Sequence, residues 1–159
     1  MITETDRAYL KRSVELAEQA LNTGNSPFGS VLVSQEGKIL FEDHNHDKDG
    51  DRTQHPEYAV VKWALEHLTE EERRNTVVYT SGEHCSMCSS AHALAGLGRI
   101  VYASSSAQLR AWQKELSVNQ SGPLKGLSIE DVVNDTPIDG PDQELSEAVK
   151  QLQIEYYKK

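Results

Sequence analysis

The feature that most constrains this chain is a pair of closely spaced cysteines. Cys85 and Cys88 are the only two cysteines among 159 residues, and they follow residues 76–80, a short apolar run typical of a buried strand. We therefore expect both thiols at the junction between that strand and a helix, where the helix N-terminus favours the thiolate form. Two thiolates at this spacing can bind one metal ion.

A second segment supplies a matching imidazole and a carboxyl group. His55, Pro56 and Glu57 open a stretch whose apolar periodicity predicts a helix, and proline suits the first turn of such a helix. His55 with the two cysteines makes a three-ligand zinc site whose fourth position is open for water. Zinc held in this way lowers the pKa of its water to about 7, and Glu57 is available for proton transfer. The combination suits hydrolytic loss of ammonia from an amidine-like ring carbon.

Two other roles for the cysteine pair stay open at this point. A Cys-x-x-Cys pair is also typical of a dithiol redox motif, although that role leaves the His-x-Glu segment unexplained. A structural zinc site needs a fourth protein ligand, and His84 and His92 are close enough in sequence to supply one. Adjacent side chains such as those of His84 and Cys85 rarely reach the same ion. We therefore favour the catalytic site, chiefly because an acid lies two positions after His55.

The order of the predicted elements indicates an α/β protein. Helices are expected at about residues 4–22, 55–68, 85–95, 128–131 and 142–157, and strands at about 29–34, 38–43, 76–80, 99–103 and 136–139. Residues 69–75 are expected to form a charged connector, and residues 104–127 to be less regular, with Gly122-Pro123 as a breaker. We predict one domain over residues 1–159, a three-layer α/β/α sandwich around a mixed five-stranded sheet.

Composition argues against several classes of partner. The chain has 16 Lys and Arg against 25 Asp and Glu, a net charge of −9, and it shows no basic cluster of the kind that tracks phosphates. A nucleic-acid substrate is therefore disfavoured. No apolar run approaches the ~18 residues of a membrane span, and the first residues lack a secretory signal pattern. We expect a cytoplasmic protein without a membrane partner.

Taken together, these motifs resemble the signature of the cytidine deaminase superfamily. Residues 55–57 (His-Pro-Glu) and 85–88 (Cys-Ser-Met-Cys) are similar to its His-x-Glu and Pro-Cys-x-x-Cys motifs. Residues 26–33 (Ser-Pro-Phe-Gly-Ser-Val-Leu-Val) and 79–85 (Tyr-Thr-Ser-Gly-Glu-His-Cys) resemble segments of one branch of that superfamily. This branch holds guanine deaminase, yeast-type cytosine deaminase and tRNA adenosine deaminase. The similarity covers roughly residues 5–105.

The resemblance also implies a role for individual residues. It implies one Zn²⁺ per chain on His55, Cys85 and Cys88, with Glu57 as the proton shuttle. Asn45 falls where the branch has an asparagine that hydrogen-bonds the substrate ring, and its amide offers both a donor and an acceptor.

Three further residues are candidates for substrate binding. Phe28 could pack near the pocket or in the core, and the core is favoured. His84 replaces the proline that the branch has before its first cysteine, so it could tune the zinc site or touch substrate. His92 could serve in place of an aromatic residue near a stacked base. His44 and His46 are expected to be solvated side chains.

The resemblance implies a zinc-dependent deaminase acting on a small guanine-like or cytosine-like nucleobase or nucleoside. One alternative is deamination of adenosine in tRNA, which a salt-sensitive affinity for RNA would indicate. Another is a non-catalytic zinc-stabilised scaffold, in which metal raises the melting temperature but no ammonia is released. Because the branch forms dimers, the resemblance also implies a homodimer.

Overall fold

A mixed five-stranded sheet organises the computed structural model, which describes residues 1–120 and 122–158. Its strands are β1 (Gly29–Val33), β2 (Ile39–His44), β3 (Val77–Gly82), β4 (Arg99–Ser104) and β5 (Ile138–Asp139). They lie in the order β2-β1-β3-β4-β5. Strand β1 is antiparallel to both of its neighbours, whereas β3, β4 and β5 are parallel. The predicted mixed sheet of five strands is confirmed.

In the part of the chain that the structure describes, six α-helices and one 3₁₀ turn accompany this sheet. They are α1 (Glu4–Asn22), α2 (Pro56–His67), α3 (Glu70–Arg74), α4 (Ser86–Ala95), α5 (Ser106–Glu115), the 3₁₀ turn Ile129–Asp131 and α6 (Gln143–Tyr157). The connector expected at residues 69–75 contains α3, and the first half of the less regular stretch expected at residues 104–127 forms α5. Each begins with a capping box, Thr69 with Glu72 and Ser105 with Gln108, which supplies two hydrogen bonds at the helix N-terminus.

The strands alternate between two apolar layers. Val31 and Val33 of β1 pack with residues of α1, α5 and α6, including the buried Trp112. Leu32, between them, packs on the opposite face with residues of α2 and α4, including Val60. This alternation follows from the two-residue period of a strand, and it confirms the three-layer α/β/α architecture. Over the described residues, no helix has both the length and the apolar character needed to cross a bilayer.

Close packing between α1 and β1 fixes the start of the sheet. A Cβ atom at Gly29 would collide with the carbonyl oxygen of Ser13 and with Leu16 on α1. Only glycine permits this approach of helix and strand. Phe28, the residue before Gly29, is thereby held at the N-terminal end of β1. The site described next lies at this end of the strand.

Candidate active site

Three potential metal ligands meet where α2 and α4 begin. His55 is the N-cap residue of α2, Cys85 is the N-cap residue of α4, and Cys88 lies in the first turn of α4. Nδ1 of His55 lies 3.6 Å from Sγ of Cys85 and 3.5 Å from Sγ of Cys88. Neither N-cap side chain bonds to a backbone amide of its helix. The imidazole and the thiol are therefore available to a metal ion.

The spacing of these three side chains fits zinc. A tetrahedral ion with Zn–N near 2.1 Å and Zn–S near 2.3 Å separates nitrogen from sulfur by about 3.6 Å, which matches both measured distances. Within the described part of the chain, no other His, Cys, Asp or Glu joins this group. The structural-site alternative required a fourth ligand from His84 or His92, and neither belongs to the group.

Electrostatic coupling prepares one of the thiols for a cation. Hydrogen bonds from Cys88 and from His55 lower the pKa of Cys85 to about 4. The same contact with Cys85 raises the pKa of His55 to about 9. The pKa of Cys88 is raised, because it hydrogen-bonds to the charged Cys85 sulfur and is buried. A metal ion binding at neutral pH must therefore displace protons from His55 and Cys88.

Glu57 lies beside the ligands as a buried carboxyl group. It occupies the first turn of α2 and its side chain is only 6% exposed. Burial raises the pKa of Glu57 to about 7, close to the value that suits a proton shuttle at neutral pH. Its Oε1 accepts a hydrogen bond of 3.1 Å from Oγ of Ser30. Ser30 was not among the predicted site residues, although the alternation along β1 places it on the same face as Leu32, toward α2.

A cavity of about 250 Å³ opens over this group. Five residues singled out from the sequence line it: Phe28, Asn45, His55, Glu57 and Cys85. Its volume lies below the roughly 300–1,000 Å³ of pockets for drug-sized ligands, so it suits a small ring system. A larger open depression of about 910 Å³ lies at the opposite ends of the strands and contains none of the predicted site residues.

Asn45 lines this cavity and carries a buried acceptor that has no partner among the described residues. Its backbone N–H donates to the carbonyl of Phe28 at 3.1 Å, and its Nδ2 donates to Oδ2 of Asp47 at 3.3 Å. Oδ1 of Asn45 is buried, and no donor in residues 1–120 or 122–158 reaches it. Phe28 is half-buried at the cavity wall, rather than in the core position that sequence analysis favoured.

His84 and His92 form a buried pair behind the ligands. Both side chains are essentially inaccessible, and their rings meet edge to face with centroids 5.5 Å apart. His92 donates from Nε2 to the carbonyl of Gly98 at 2.7 Å. Burial holds the pKa of His84 well below its usual range and lowers that of His92 to about 4, so both rings are neutral. Neither lines the cavity, and their contact with substrate stays a prediction.

The second wall of the cavity is formed mainly by α5 and by residues that follow it, to which no role was assigned from the sequence. The residues of this wall and of the floor beneath it are Glu83, Ser86, Ser106, Leu109, Arg110, Gln113, Gln120, Leu124, Lys125, Gly126 and Leu127. Glu83 holds the wall at both ends, because Oε1 accepts from the Ser106 amide at 2.9 Å and Oε2 accepts from the Ile129 amide at 2.8 Å. The capping box of α5 was the one sequence signal for this wall.

Comparison with known proteins agrees with this geometry. The model of the cytidine and deoxycytidylate deaminase zinc-binding region matches residues 3–104. A probable cytosine deaminase of Schizosaccharomyces pombe is 33% identical over 108 residues, which are 68% of this chain and 65% of that protein. A tRNA-specific adenosine deaminase of Aquifex aeolicus is 30% identical over 95 residues, 59% of this chain and 62% of the relative. The alignments thus span somewhat less than two thirds of each relative.

The fold is also similar to that of a solved guanine deaminase from Nitrosomonas europaea. The two share a TM-score of 0.71 at 18% identity, over the whole of this chain and 87% of the other. This likeness supports the three-layer architecture. The family model covers both segments that carry the ligand group, residues 55–57 and 85–88. By this match, the chain belongs to the family of cytidine and deoxycytidylate deaminases, and the match is to its zinc-binding region.

Proposed function

We propose that this chain catalyses the zinc-dependent hydrolytic deamination of a small amino-substituted nucleobase or nucleoside. The observation that carries the proposal is the buried carboxyl group of Glu57 in the same cavity as His55 and Cys85. In this proposal His55, Cys85 and Cys88 hold one zinc ion per chain. A zinc ion with three protein ligands activates a water molecule for attack near neutral pH.

Glu57 then has the task of moving protons. In its ionised form it accepts a proton from the attacking water, and it returns that proton to the amino nitrogen that leaves as ammonia. In the metal-free chain burial raises the pKa of Glu57 to about 7. This direction suits both steps, because a carboxylate of low pKa is too weak a base to take the proton from water and a group of high pKa is too weak an acid to return it. Ser30, donating to Oε1 at 3.1 Å, orients the carboxylate.

Asn45 and Phe28 have the task of binding the ring. The free Oδ1 of Asn45 can accept a hydrogen bond from a ring N–H. Phe28 supplies an aromatic surface at the same cavity wall. Both features suit the edge and the face of a planar heterocycle, and they are equally compatible with a guanine-like and a cytosine-like ring.

Ammonia release from a panel of substrates tests this function. The panel contains guanine, adenine, cytosine, isocytosine and their nucleosides, and the catalytic variant is Glu57→Ala. Glu66→Ala is the matched control, since Glu66 is an exposed residue of the same helix. Release from one ring that only Glu57→Ala abolishes supports the proposal. Zinc held by His55, Cys85 and Cys88 without release from any substrate of the panel would contradict it and favour a tRNA substrate or the zinc-stabilised scaffold.

Deamination of adenosine in tRNA is the second candidate function. Arg110 and Lys125 line the cavity, and neither forms a salt bridge within the described residues. Two unpaired cations suit a phosphate, whereas the net charge of −9 opposes a long RNA contact. Binding of an RNA hairpin that weakens steeply with salt, and weakens further in the double variant Arg110→Gln, Lys125→Gln, would support this candidate.

We further propose that the chain is a homodimer, on the basis of its resemblance to the dimeric branch of the family. One chain has a mass of 17.7 kDa. Light scattering coupled to size-exclusion chromatography should therefore give about twice that mass, and a mass near that of a single chain at micromolar concentration would contradict the proposal.

A further inference from the structure

A second group of metal-ligating side chains lies outside the candidate active site, at the end of the edge strand β2. Asp43 and His44 are the last two residues of β2, and His46 follows two positions later. The backbone here is fixed on both sides. The amide of Asn45 donates to the carbonyl of Phe28, and the amide of His46 donates to the carbonyl of Gln54, each at 3.1 Å.

The side chains of this group converge on one another. Nε2 of His46 lies 2.7 Å from Oδ1 of Asp43, and the rings of His44 and His46 stack with centroids 4.5 Å apart. One ligand atom from each of the three residues lies within 4.8 Å of the other two. Because the backbone already holds this arrangement, an ion that binds here does not have to order a loop first.

The hydrogen bond of His44 leaves one ring nitrogen available as a ligand. Nδ1 of His44 lies 2.8 Å from the carbonyl oxygen of Asn45, to which it donates as N–H. In the neutral ring, Nε2 then carries a lone pair. A bond from the second ring nitrogen to a carbonyl is the arrangement that commonly fixes the tautomer of a metal-ligating histidine. His44 is thus prepared for coordination in the same way.

We propose that Asp43, His44 and His46 form a second metal site, for a divalent ion of the zinc class. Two imidazoles and one carboxylate suit Zn²⁺ and its transition-metal neighbours, whereas Mg²⁺ and Ca²⁺ prefer oxygen ligands alone. The site has three protein ligands and no thiolate, and the His46 side chain is 52% exposed. It therefore binds zinc reversibly and more weakly than the group of His55, Cys85 and Cys88.

Occupancy of this site acts on the candidate active site through Asn45. Asn45 lies between two of the proposed ligands, and its side chain lines the catalytic cavity. An ion joining His44 to His46 spans the Asn45 backbone and restrains it from both sides. The metal site thereby links free zinc concentration to the position of a cavity residue without touching the catalytic ligands.

Isothermal titration calorimetry with Zn²⁺ tests the proposal on the full chain already carrying one zinc per chain. Wild type should take up one further equivalent. His46→Ala should lose that equivalent or bind it about tenfold more weakly while keeping the first. Asp43→Asn should also weaken it, because the amide is a poorer ligand than the carboxylate. His67→Ala is the matched control, an exposed histidine outside the group, and should behave as wild type.

The count of zinc equivalents separates this proposal from the proposed function. Cys88→Ser should remove the first equivalent and leave the second, whether or not any substrate is deaminated. Absence of a second equivalent in wild type would overturn the proposal. So would a second equivalent that His46→Ala and Asp43→Asn both bind with unchanged affinity.

Discussion

In the proposed deamination, the hydrogen bond between Ser30 and Glu57 should set the pH at which activity is lost on the acid side. Oγ of Ser30 lies 3.1 Å from Oε1 of Glu57. A hydroxyl donor favours the charged carboxylate over the neutral acid. Ser30→Ala should therefore raise the pKa of Glu57 further. In the proposed mechanism Glu57 accepts a proton only in its ionised form, so the acid limb of the pH–rate profile should move to higher pH.

The expected size of this pKa shift depends on how the single hydroxyl proton of Ser30 is shared between two acceptors. A hydrogen bond to a charged group contributes about 1.5–3 kcal/mol. Ser30 has a single proton to donate, and Oγ1 of Thr80, at 2.9 Å, competes with Glu57 for it. We therefore take the lower end of the range. At about 1.4 kcal/mol per pH unit, the acid limb should move by about one unit.

The pH dependence of kcat/KM for ammonia release measures this shift. Ser30→Ala should lose about tenfold on the acid limb and little at pH 9, where Glu57 is ionised in both proteins. Ser13→Ala is the matched control, because Ser13 is equally buried but donates to the Leu10 carbonyl on α1. An acid limb that stays in place in Ser30→Ala, or moves to lower pH, would refute the assigned role of this hydrogen bond.

Four further predictions concern the same region. In the zinc-free chain, Glu57→Gln should add about 3 kcal/mol of stability at pH 8, because burial raises the pKa of Glu57 from 4.5 to about 7 and so penalises its charged form. The gain in stability should vanish at pH 4, where the carboxyl group is neutral. Equal melting temperatures of wild type and variant at pH 8 would contradict this prediction. Glu83→Ala should raise KM about tenfold with little change in kcat, because the second cavity wall loses two hydrogen bonds. Steady-state kinetics that show a loss in kcat alone would contradict the role of Glu83 in holding the cavity wall. Zinc added at pH 7 to the chain from which metal has been removed should release about two protons per ion, from His55 and Cys88. Calorimetry in buffers of different ionisation enthalpy counts the released protons, and a count near zero would contradict the prediction. His84→Leu should raise the melting temperature by a few degrees, because both ring nitrogens of His84 are buried and no described residue hydrogen-bonds to them. An unchanged or lower melting temperature would contradict the idea that these buried nitrogens destabilise the chain.

Local periodicity was sufficient to predict most of the fold. Helix α1 was expected at residues 4–22 and lies at Glu4–Asn22, because its apolar residues recur at helical spacing over five turns. Helices α3 and α5 were missed. Helix α3 contains five residues, none of them buried, and α5 buries only Trp112. Their apolar stripes are therefore too thin for periodicity to detect, and only the capping boxes mark where they begin.

The same distinction separates the predicted from the unpredicted parts of the site. The group of His55, Cys85 and Cys88 could be predicted because its chemistry lies in the residue types themselves and each segment opens a helix. Ser30 and the second cavity wall could not, since serine and glutamine carry no comparable signature. Their roles arise from contacts between distant segments, namely Ser30 of β1 with Glu57 of α2, and Glu83 with two distant backbone amides.

The buried position of His84 argues against the role that its place in the sequence suggests. From the sequence, a histidine in place of the proline before Cys85 was expected to tune the zinc site or to touch substrate. The structure buries the ring completely against His92, and burial holds its pKa well below the usual range. A ring that stays neutral at physiological pH adds no charge to the site when the pH changes. The pH–rate profile of His84→Pro should then match that of wild type near neutral pH, so the cost of this substitution falls on packing and stability rather than on proton transfer.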